Sequence, residues 1–269
     1  LIFIKVFDIK NKHISNIDNL ILVKKGLNEK QLVNELNKLK IKISYIEWMI
    51  IKKIFNPKIS IKYGEYFIPK HFTISELQKK LDSGKTFTRK FTLIEGWNAQ
   101  ILKDKLNMAF GLTGEVNSLK EGIYKPDTYN YSWGDTKFSL LKRMENEQNK
   151  VLNKYWVLRT KNKEIKSKFQ ALILASIIEK ETNRNSESKI ISSVFINRLK
   201  KNIKLQSDVT VAYGLNISGD KLVKKSLKIK NKFNTYLNFG LPPTPISYPS
   251  EISIEAAILP IDSDYLFFV

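Results

Sequence analysis

The sequence predicts an α+β fold, with a βααβ N-terminal subdomain followed by a larger, helix-rich mixed α+β domain. Two observations lead to this prediction. Short β-prone runs alternate with amphipathic helical periods in the first half of the chain, whereas long helical periods follow after about residue 135. The chain has 269 residues, enough for two domains with their own cores. We place these domains at residues 1–88 and 89–269.

The N-terminal subdomain begins with a strand and two capped helices. Leu20–Val23 is a short apolar run that is typical of a strand. Asn28–Lys40 and Ser44–Ile54 each open on a residue that caps helices well and continue with a helical period. Ile59–Pro69 is an extended stretch that contains aromatic residues. Together these segments give the order βααβ.

A helix, a strand and another helix connect this subdomain to the rest of the chain. Thr73 and Glu76 have the spacing of a capping box, and Gly84 is placed to end the helix that they open. The β-prone stretch Thr86–Ile94 follows, and a helix is predicted over Asn98–Met108.

The remainder of the chain is predicted to be a loop followed by helices. Residues 111–134 are rich in loop-forming residues, and Pro126–Tyr129 has ordinary turn chemistry. Helical periods then cover about 135–155, 164–182 and 186–201.

The chain is strongly basic, with a formal net charge of +20 and a pI near 9.8. This excess favours anionic partners such as nucleic acid, an acidic membrane surface or an anionic cell wall. A genome biased towards Lys, Ile and Asn codons would produce the same excess without any binding role. The lysines are dispersed, and no nucleic-acid-binding motif accompanies them. We therefore expect no nucleic-acid partner.

Several types of chemistry are disfavoured by composition. Cysteine is absent, which excludes disulfides and thiol catalysis. The histidines, His13 and His71, lie in the N-terminal third, which leaves little for a zinc site or a Ser-His-Asp triad. We expect neither a metal nor a cofactor. The first residues are apolar without an initiator Met, so we expect that a signal or anchor segment precedes them.

Two carboxylates lie near the end of the helix predicted over residues 164–182. This helix is apolar until its last turn, which predicts burial. Residues three and four apart share a helix face, so Glu181 lies above Ile177 and Ile178, whereas Glu179 points elsewhere. Desolvation there would raise the pKa of Glu181 and suit it to general acid catalysis. A solvated helix end is the alternative interpretation.

A series of short motifs follows in order along nearly the whole chain. They are Leu81–Lys85, Leu93–Gly96, Pro126–Tyr129, Ala175–Thr182, Ser193–Leu199, Leu205–Gly214, Phe233–Tyr236 and Gly240–Ile246. Together they resemble the MltG/YceG-like family of endolytic murein (lytic) transglycosylases. In that family the catalytic glutamate is the second acid of the E-K-E-T motif, which corresponds here to Glu181.

The resemblance implies an enzyme that cuts nascent peptidoglycan glycan strands between MurNAc and GlcNAc and leaves 1,6-anhydroMurNAc ends. A single Glu is the implied general acid/base. The resemblance also implies a LysM-like subdomain, a place at the periplasmic face of the bacterial inner membrane, and a membrane anchor outside this sequence. Cell-wall synthases are further partners to expect.

The motifs around the implied acid supply polar groups for sugar hydroxyls and amides. The expected substrate-binding residues are Gln206, Ser207, Asp208, Thr210, Asn234, Thr235 and Tyr236. Capping of a short helix is the alternative role for Ser207, and Gly240–Pro243 is expected to form a rigid loop at the cleft wall.

Four positions depart from the family pattern, which we expect to alter the cleft rim. They are Val209, Thr244, Tyr248 and Ser250. The sequence also stops before the segment containing His and Phe with which the family usually ends. A non-catalytic peptidoglycan-binding scaffold at the wall-synthesis site is therefore the alternative function.

Overall fold

The computed structural model describes residues 2–159, 164–182 and 184–267. They form two compact units. The first draws its described residues from Leu1–Lys90, Phe110–Leu112 and Asn130–Asp135, and the second from Phe91–Ala109, Thr113–Tyr129 and Thr136–Val269. The first change of unit, after Lys90, lies close to the boundary predicted between residues 88 and 89.

The first unit combines helices with a two-stranded sheet. Its elements are α1 (Ile2–Asn11), β1 (Asn19–Val23), α2 (Glu29–Lys38), α3 (Tyr45–Phe55), β2 (Gly64–Ile68) and α4 (Ile74–Ser83). β1 and β2 pair antiparallel, with Asn19 opposite Ile68, so the predicted order βααβ is present. Helix α1 was not predicted, and its polar residues Lys5 and Asp8 are exposed.

The predicted caps of this unit are confirmed. Helices α2, α3 and α4 open with capping boxes on Asn28, Ser44 and Thr73. Gly84 follows α4 in the left-handed conformation, with φ at 67°, and ends that helix as predicted. These local signals fix where the helices begin, while a core that contains the fully buried Trp48 holds them in place.

Two strands, β3 (Thr88–Leu93) and β4 (Asp127–Ser132), form a second two-stranded sheet, and the chain changes unit within each of them. The first strand was predicted, but β4 was taken for part of a loop. Its side chains alternate as in a strand, with Tyr129 and Tyr131 buried and Asn130 exposed. The loop prediction was wrong here, because it relied on the turn chemistry of Pro126, just ahead of β4, and of Asp127, its first residue.

The second unit is mainly helical. Its helices are α5 (Ala99–Met108), α6 (Lys137–Trp156), α7 (Lys168–Glu181), α8 (Ser188–Lys200), α9 (Asp208–Gly214) and α10 (Glu251–Ile258), with 3₁₀ turns at Gly219–Lys221 and Ser226–Lys228. Helices α5 to α8 were predicted. Helix α10 was not, because eight residues are too few for a distinct helical period.

Helix α7 lies in the middle of the second unit, in contact with α8, α9 and α10. All residues from Ala171 to Ile178 are buried, so the helix has no exposed face along this stretch. The Ser176 hydroxyl donates to the Ile173 carbonyl and accepts from the Ile246 N–H, which satisfies the polar group in this interior. The last turn of α7 is therefore held from several sides. In the described part of the chain, no helix is both long enough and apolar enough to cross a membrane.

Candidate active site

Glu181 is the last residue of α7, and its side chain lies next to the start of α9. Its Oε1 accepts a hydrogen bond of 2.5 Å from the Ser207 hydroxyl. Burial raises the pKa of this carboxyl, the Ser207 hydrogen bond lowers it, and the nearby Asp208 carboxylate raises it, with a net increase above the ordinary value for glutamate. Glu181 therefore keeps its proton to a higher pH than an exposed glutamate does, which is what a general acid requires.

Ser207 is a buried residue that is fixed on both sides by threonines. Its N–H donates to Thr235 Oγ1 at 3.0 Å, and its carbonyl accepts from Thr210 Oγ1 at 2.7 Å. The two threonine hydroxyls also hydrogen bond to each other at 2.9 Å. Ser207 occupies the N-cap position of α9 without a side-chain cap, since its hydroxyl is directed to Glu181. The alternative of a capping side chain is thus not what the structure shows.

Asp208 is the second carboxylate of this region and is exposed. Its Oδ1 accepts a hydrogen bond of 2.6 Å from Tyr236 Oη. Burial and the hydrogen bond to Asp208 raise the pKa of Tyr236 to about 12, so this phenol stays protonated and acts as a donor at neutral pH. Tyr236 thereby orients Asp208 at the start of α9, beside Glu181.

Three of the predicted substrate-binding residues lie in the interior of the second unit and not at its surface. Thr210, Asn234 and Thr235 are fully buried, and the Asn234 amide donates to the carbonyls of Leu227 and Ile229. Because protein partners occupy these side chains, their predicted direct contact with a sugar is not available in this structure. They fix the neighbouring loop instead.

The loop ahead of α9 is also held by a residue that sequence analysis left out of the site. The buried Arg198 of α8 donates from Nη1 to the Leu205 carbonyl and from Nε to the Leu266 carbonyl, both at 2.7 Å. Gln206 follows in the left-handed conformation, with φ at 51°, and its side chain is exposed. An arginine within the largely apolar motif Ser193–Leu199 was the signal that could have identified this anchor.

The other carboxylate of the last turn, Glu179, has a different set of partners. Its Oε2 accepts hydrogen bonds from the Ser250 N–H, the Ser250 hydroxyl and the Ser253 hydroxyl, at 2.9, 2.6 and 2.7 Å. Glu179 therefore fixes the N-terminus of α10. Two departures from the family pattern lie in this part of the chain: Ser250 is the N-cap of α10, and Tyr248 is fully buried. The Tyr248 side chain is therefore not exposed at a cleft rim.

Glu121 is a further half-buried carboxyl of the second unit that sequence analysis missed. Both of its oxygens accept from the Ala99 N–H, and Oε1 also accepts from Tyr213 Oη at 3.0 Å. Burial raises the pKa of Glu121, and these hydrogen bonds lower it, with a net increase. Because Tyr213 lies in the last turn of α9 and Asp208 in its first, Glu121 anchors the end of α9 that is distant from Glu181.

The Gly240–Pro243 loop borders a cavity of about 410 Å³, together with Phe169 and Ile173 of α7. A helix rises about 1.5 Å per residue, so Glu181 lies about 12 Å along the axis from Ile173 and about 18 Å from Phe169. The loop therefore shapes a region some distance along α7 from the carboxyl, and not the wall beside it.

Several comparisons with known proteins point to the same family. The model of the YceG-like family matches residues 21–269. The endolytic murein transglycosylase of Bacillus subtilis (strain 168) is 39% identical over 150 residues, which cover 55% of this chain and 41% of that protein. The endolytic murein transglycosylase of Streptococcus pneumoniae serotype 2 (strain D39) is 35% identical over 155 residues, which cover 55% and 28%.

A solved structure is similar as well. The crystal structure of a yceG-like protein from Listeria monocytogenes superposes with a TM-score of 0.56 at 26% identity, and the match covers 95% of this chain and 93% of that one. The match to the two curated relatives spans less than half of their own length.

Proposed function

The chain belongs to the YceG-like family, and from this premise we propose that it is an endolytic murein transglycosylase. It cleaves the MurNAc–GlcNAc bond of nascent peptidoglycan strands and leaves 1,6-anhydroMurNAc ends. The observation that carries this proposal is the environment of Glu181, a half-buried carboxyl with a raised pKa that accepts a hydrogen bond from the Ser207 hydroxyl and lies beside Asp208. The activity in the names of the two curated relatives supports the same reaction.

In the first step, protonated Glu181 gives its proton to the glycosidic oxygen, and the bond from that oxygen to the anomeric carbon breaks. Positive charge develops on the muramoyl ring as the leaving strand departs. The Asp208 carboxylate, oriented by Tyr236, stabilises this charge electrostatically. Preorganised groups of this kind lower the barrier because they do not have to reorient during the reaction.

In the second step, the 6-hydroxyl of the same muramoyl residue attacks its anomeric carbon. Glu181, now ionised, takes the proton from this hydroxyl and is returned to its starting state. The nucleophile is part of the substrate, so the reaction benefits from the high effective concentration of an intramolecular step. One carboxylate can then act as both acid and base, whereas ordinary glycosidases need two. No water is consumed.

The surrounding residues divide into two groups in this proposal. Gln206, Asp208 and Tyr236 are available to substrate, whereas Ser207 acts on Glu181 through its hydrogen bond. The buried set of Thr210, Asn234 and Thr235 positions these residues without touching the glycan.

Incubation with uncrosslinked glycan strands followed by mass spectrometry of the products tests the reaction. We expect anhydro ends, whose combined mass equals that of the substrate. Products that carry one added water would identify a hydrolase instead. Intact strands together with retained glycan binding would favour the non-catalytic scaffold.

We further propose that the βααβ part of the first unit is a LysM-like carbohydrate-binding module, for which the order of β1, α2, α3 and β2 is the support. We place the whole protein at the periplasmic face of the inner membrane, held by an anchor, near cell-wall synthases. Cell fractionation of the native protein, with and without alkaline extraction of the membranes, tests this location.

A further inference from the structure

We propose that the second unit carries a surface that binds the glycan strand well beyond the bond that is cut. This strand-binding surface consists of Lys204, Phe169 and the segment Tyr236–Pro243. The inference rests on the proposed function and deepens it, because it assigns a preference for long strands that bear peptide stems. Three features of the surface support it: its continuity with the candidate active site, its exposed aromatic rings and its charge.

The strand-binding surface is continuous with the candidate active site. Tyr236 Oη reaches Asp208 at 2.6 Å, beside Glu181. Three residues further along the chain, the Phe239 ring lies 5.1 Å from Lys204 Nζ. Since Lys204 and Asp208 belong to one segment while Tyr236 and Phe239 belong to another, the two segments run side by side. A strand seated at Glu181 therefore meets Phe239 next.

Two large aromatic side chains on this route are open to solvent. Phe239 is 59% exposed and Phe169 is 46% exposed. Gly240, with φ at 78°, turns the chain between Phe239 and the cavity that Phe169 borders. Exposed apolar groups that line one route indicate a binding surface, and aromatic rings stack well on the C–H faces of sugars. Phe169 lies about 18 Å along α7 from Glu181, which leaves room for several sugar rings.

Near Phe239 the surface carries positive charge. A cavity of about 520 Å³ is lined by Lys230, Asn231, Lys232, Leu237 and Asn238, and Lys204 Nζ lies over the Phe239 ring. Within the part of the chain that the structure describes, this lining contains two ammonium groups and no carboxylate. Peptide stems on muramic acid carry free carboxylates, so these lysines complement stem-bearing strands more strongly than bare glycan.

Binding to an inactive variant tests the aromatic part of the surface without requiring cleavage. In the E181Q background, F239A should weaken the binding of long stem-bearing strands about 3–10-fold, the loss expected for one stacking contact. The matched control is F138A, which removes a more exposed ring (74%) on α6, outside this surface, and should leave binding unchanged. Equal effects of both substitutions would overturn the proposal.

Charge removal tests the stem preference. The double variant K230Q/K232Q should bind stem-bearing strands several-fold more weakly and should bind strands stripped of their stems by an amidase as the parent does. The control K224Q/K225Q removes two exposed lysines outside the cavity and should change neither. A matching loss on stripped strands would overturn the assignment of these lysines to the stems.

The two proposals fail in different ways. With cleavage-competent protein, F239A should raise KM more on long strands than on short fragments. If the parent cleaves and F239A behaves like F138A, the surface is wrong and the transglycosylase stands. If the E181Q background binds strands through Phe239 and the parent produces no cleavage, the surface stands and the enzyme is wrong.

Discussion

The last turn of α7 presents two carboxyls to two different regions of the second unit. Glu179 faces the start of α10 and accepts three hydrogen bonds, one of them from a backbone N–H. Glu181 faces the start of α9, where, among the residues that the structure describes, it accepts one hydrogen bond, from the Ser207 hydroxyl, and has Asp208 as a neighbour. Two residues of the same type, two positions apart, thus have opposite surroundings.

The difference shows that burial alone does not identify a carboxyl that carries protons. Three donors at a helix N-terminus satisfy the charge of Glu179 and connect α7 to α10. Glu181 has one donor within the described part of the chain, a like-charged neighbour and the unfavourable C-terminal end of its own helix. The first carboxyl holds the structure together, and the second is suited to give up and recover a proton.

The largest expected effect separates the two carboxyls by activity. E181Q should lower the rate of glycan cleavage about 10²–10⁴-fold, the range for loss of a general acid/base, because an amide cannot donate and recover the proton. E179Q should retain cleavage within a few-fold, since its partners lie at α10. Chromatography of digested strands measures both rates. Substantial cleavage by E181Q, or a matching loss in E179Q, would remove the basis of the comparison.

The next effect separates them by stability. E179A should lower the free energy of unfolding by about 2–3 kcal/mol, because the three donors of Ser250 and Ser253 lose a charged acceptor inside the protein. S253A removes one of these donors and should lower it by about 1 kcal/mol. Urea titrations followed by circular dichroism give both values. An E179A variant as stable as the parent would show that α10 is held by packing alone.

Much of the helical framework could be predicted because its signals are local. Capping residues such as Asn28 and Thr73 lie next to the turns that they define. The sequence argument for choosing Glu181 over Glu179 was incomplete, however. The apolar stripe beneath it does not distinguish it from Glu179, since α7 is buried on every side from Ala171 to Ile178.

The distinguishing contacts join residues far apart in sequence. Ser207 reaches Glu181 across 26 positions, and Tyr236 reaches Asp208 across 28. No period or spacing rule predicts such pairs, because they depend on how α9 is placed on α7. The motif resemblance supplied the residues, and only the folded chain supplies their partners.

A smaller effect concerns the two neighbours of Glu181, which should shift its protonation in opposite directions. The Ser207 hydrogen bond lowers the pKa of Glu181, so S207A should move the alkaline limb of kcat/KM to higher pH. The Asp208 charge raises that pKa, so D208N should move the same limb to lower pH. Measuring kcat/KM of both variants over a range of pH gives the pH at which activity falls, independently of each variant's maximal rate. Shifts in the same direction would mean that another group sets this limb.

The smallest expected effect is a difference in stability between the E181Q variant and the parent that depends on pH. The folded pKa of Glu181 lies above the ordinary glutamate value of 4.5, so between those two pH values the folded chain binds more protons than the unfolded one. The parent therefore loses stability as pH rises from about 4.5 through the folded pKa, and the loss persists at higher pH. E181Q has no such titration and should melt above the parent at pH 8, with a gap that narrows towards pH 4. A gap that stays constant across this range would show that Glu181 is not destabilised by burial, and the contrast with Glu179 would then rest on hydrogen-bond partners alone.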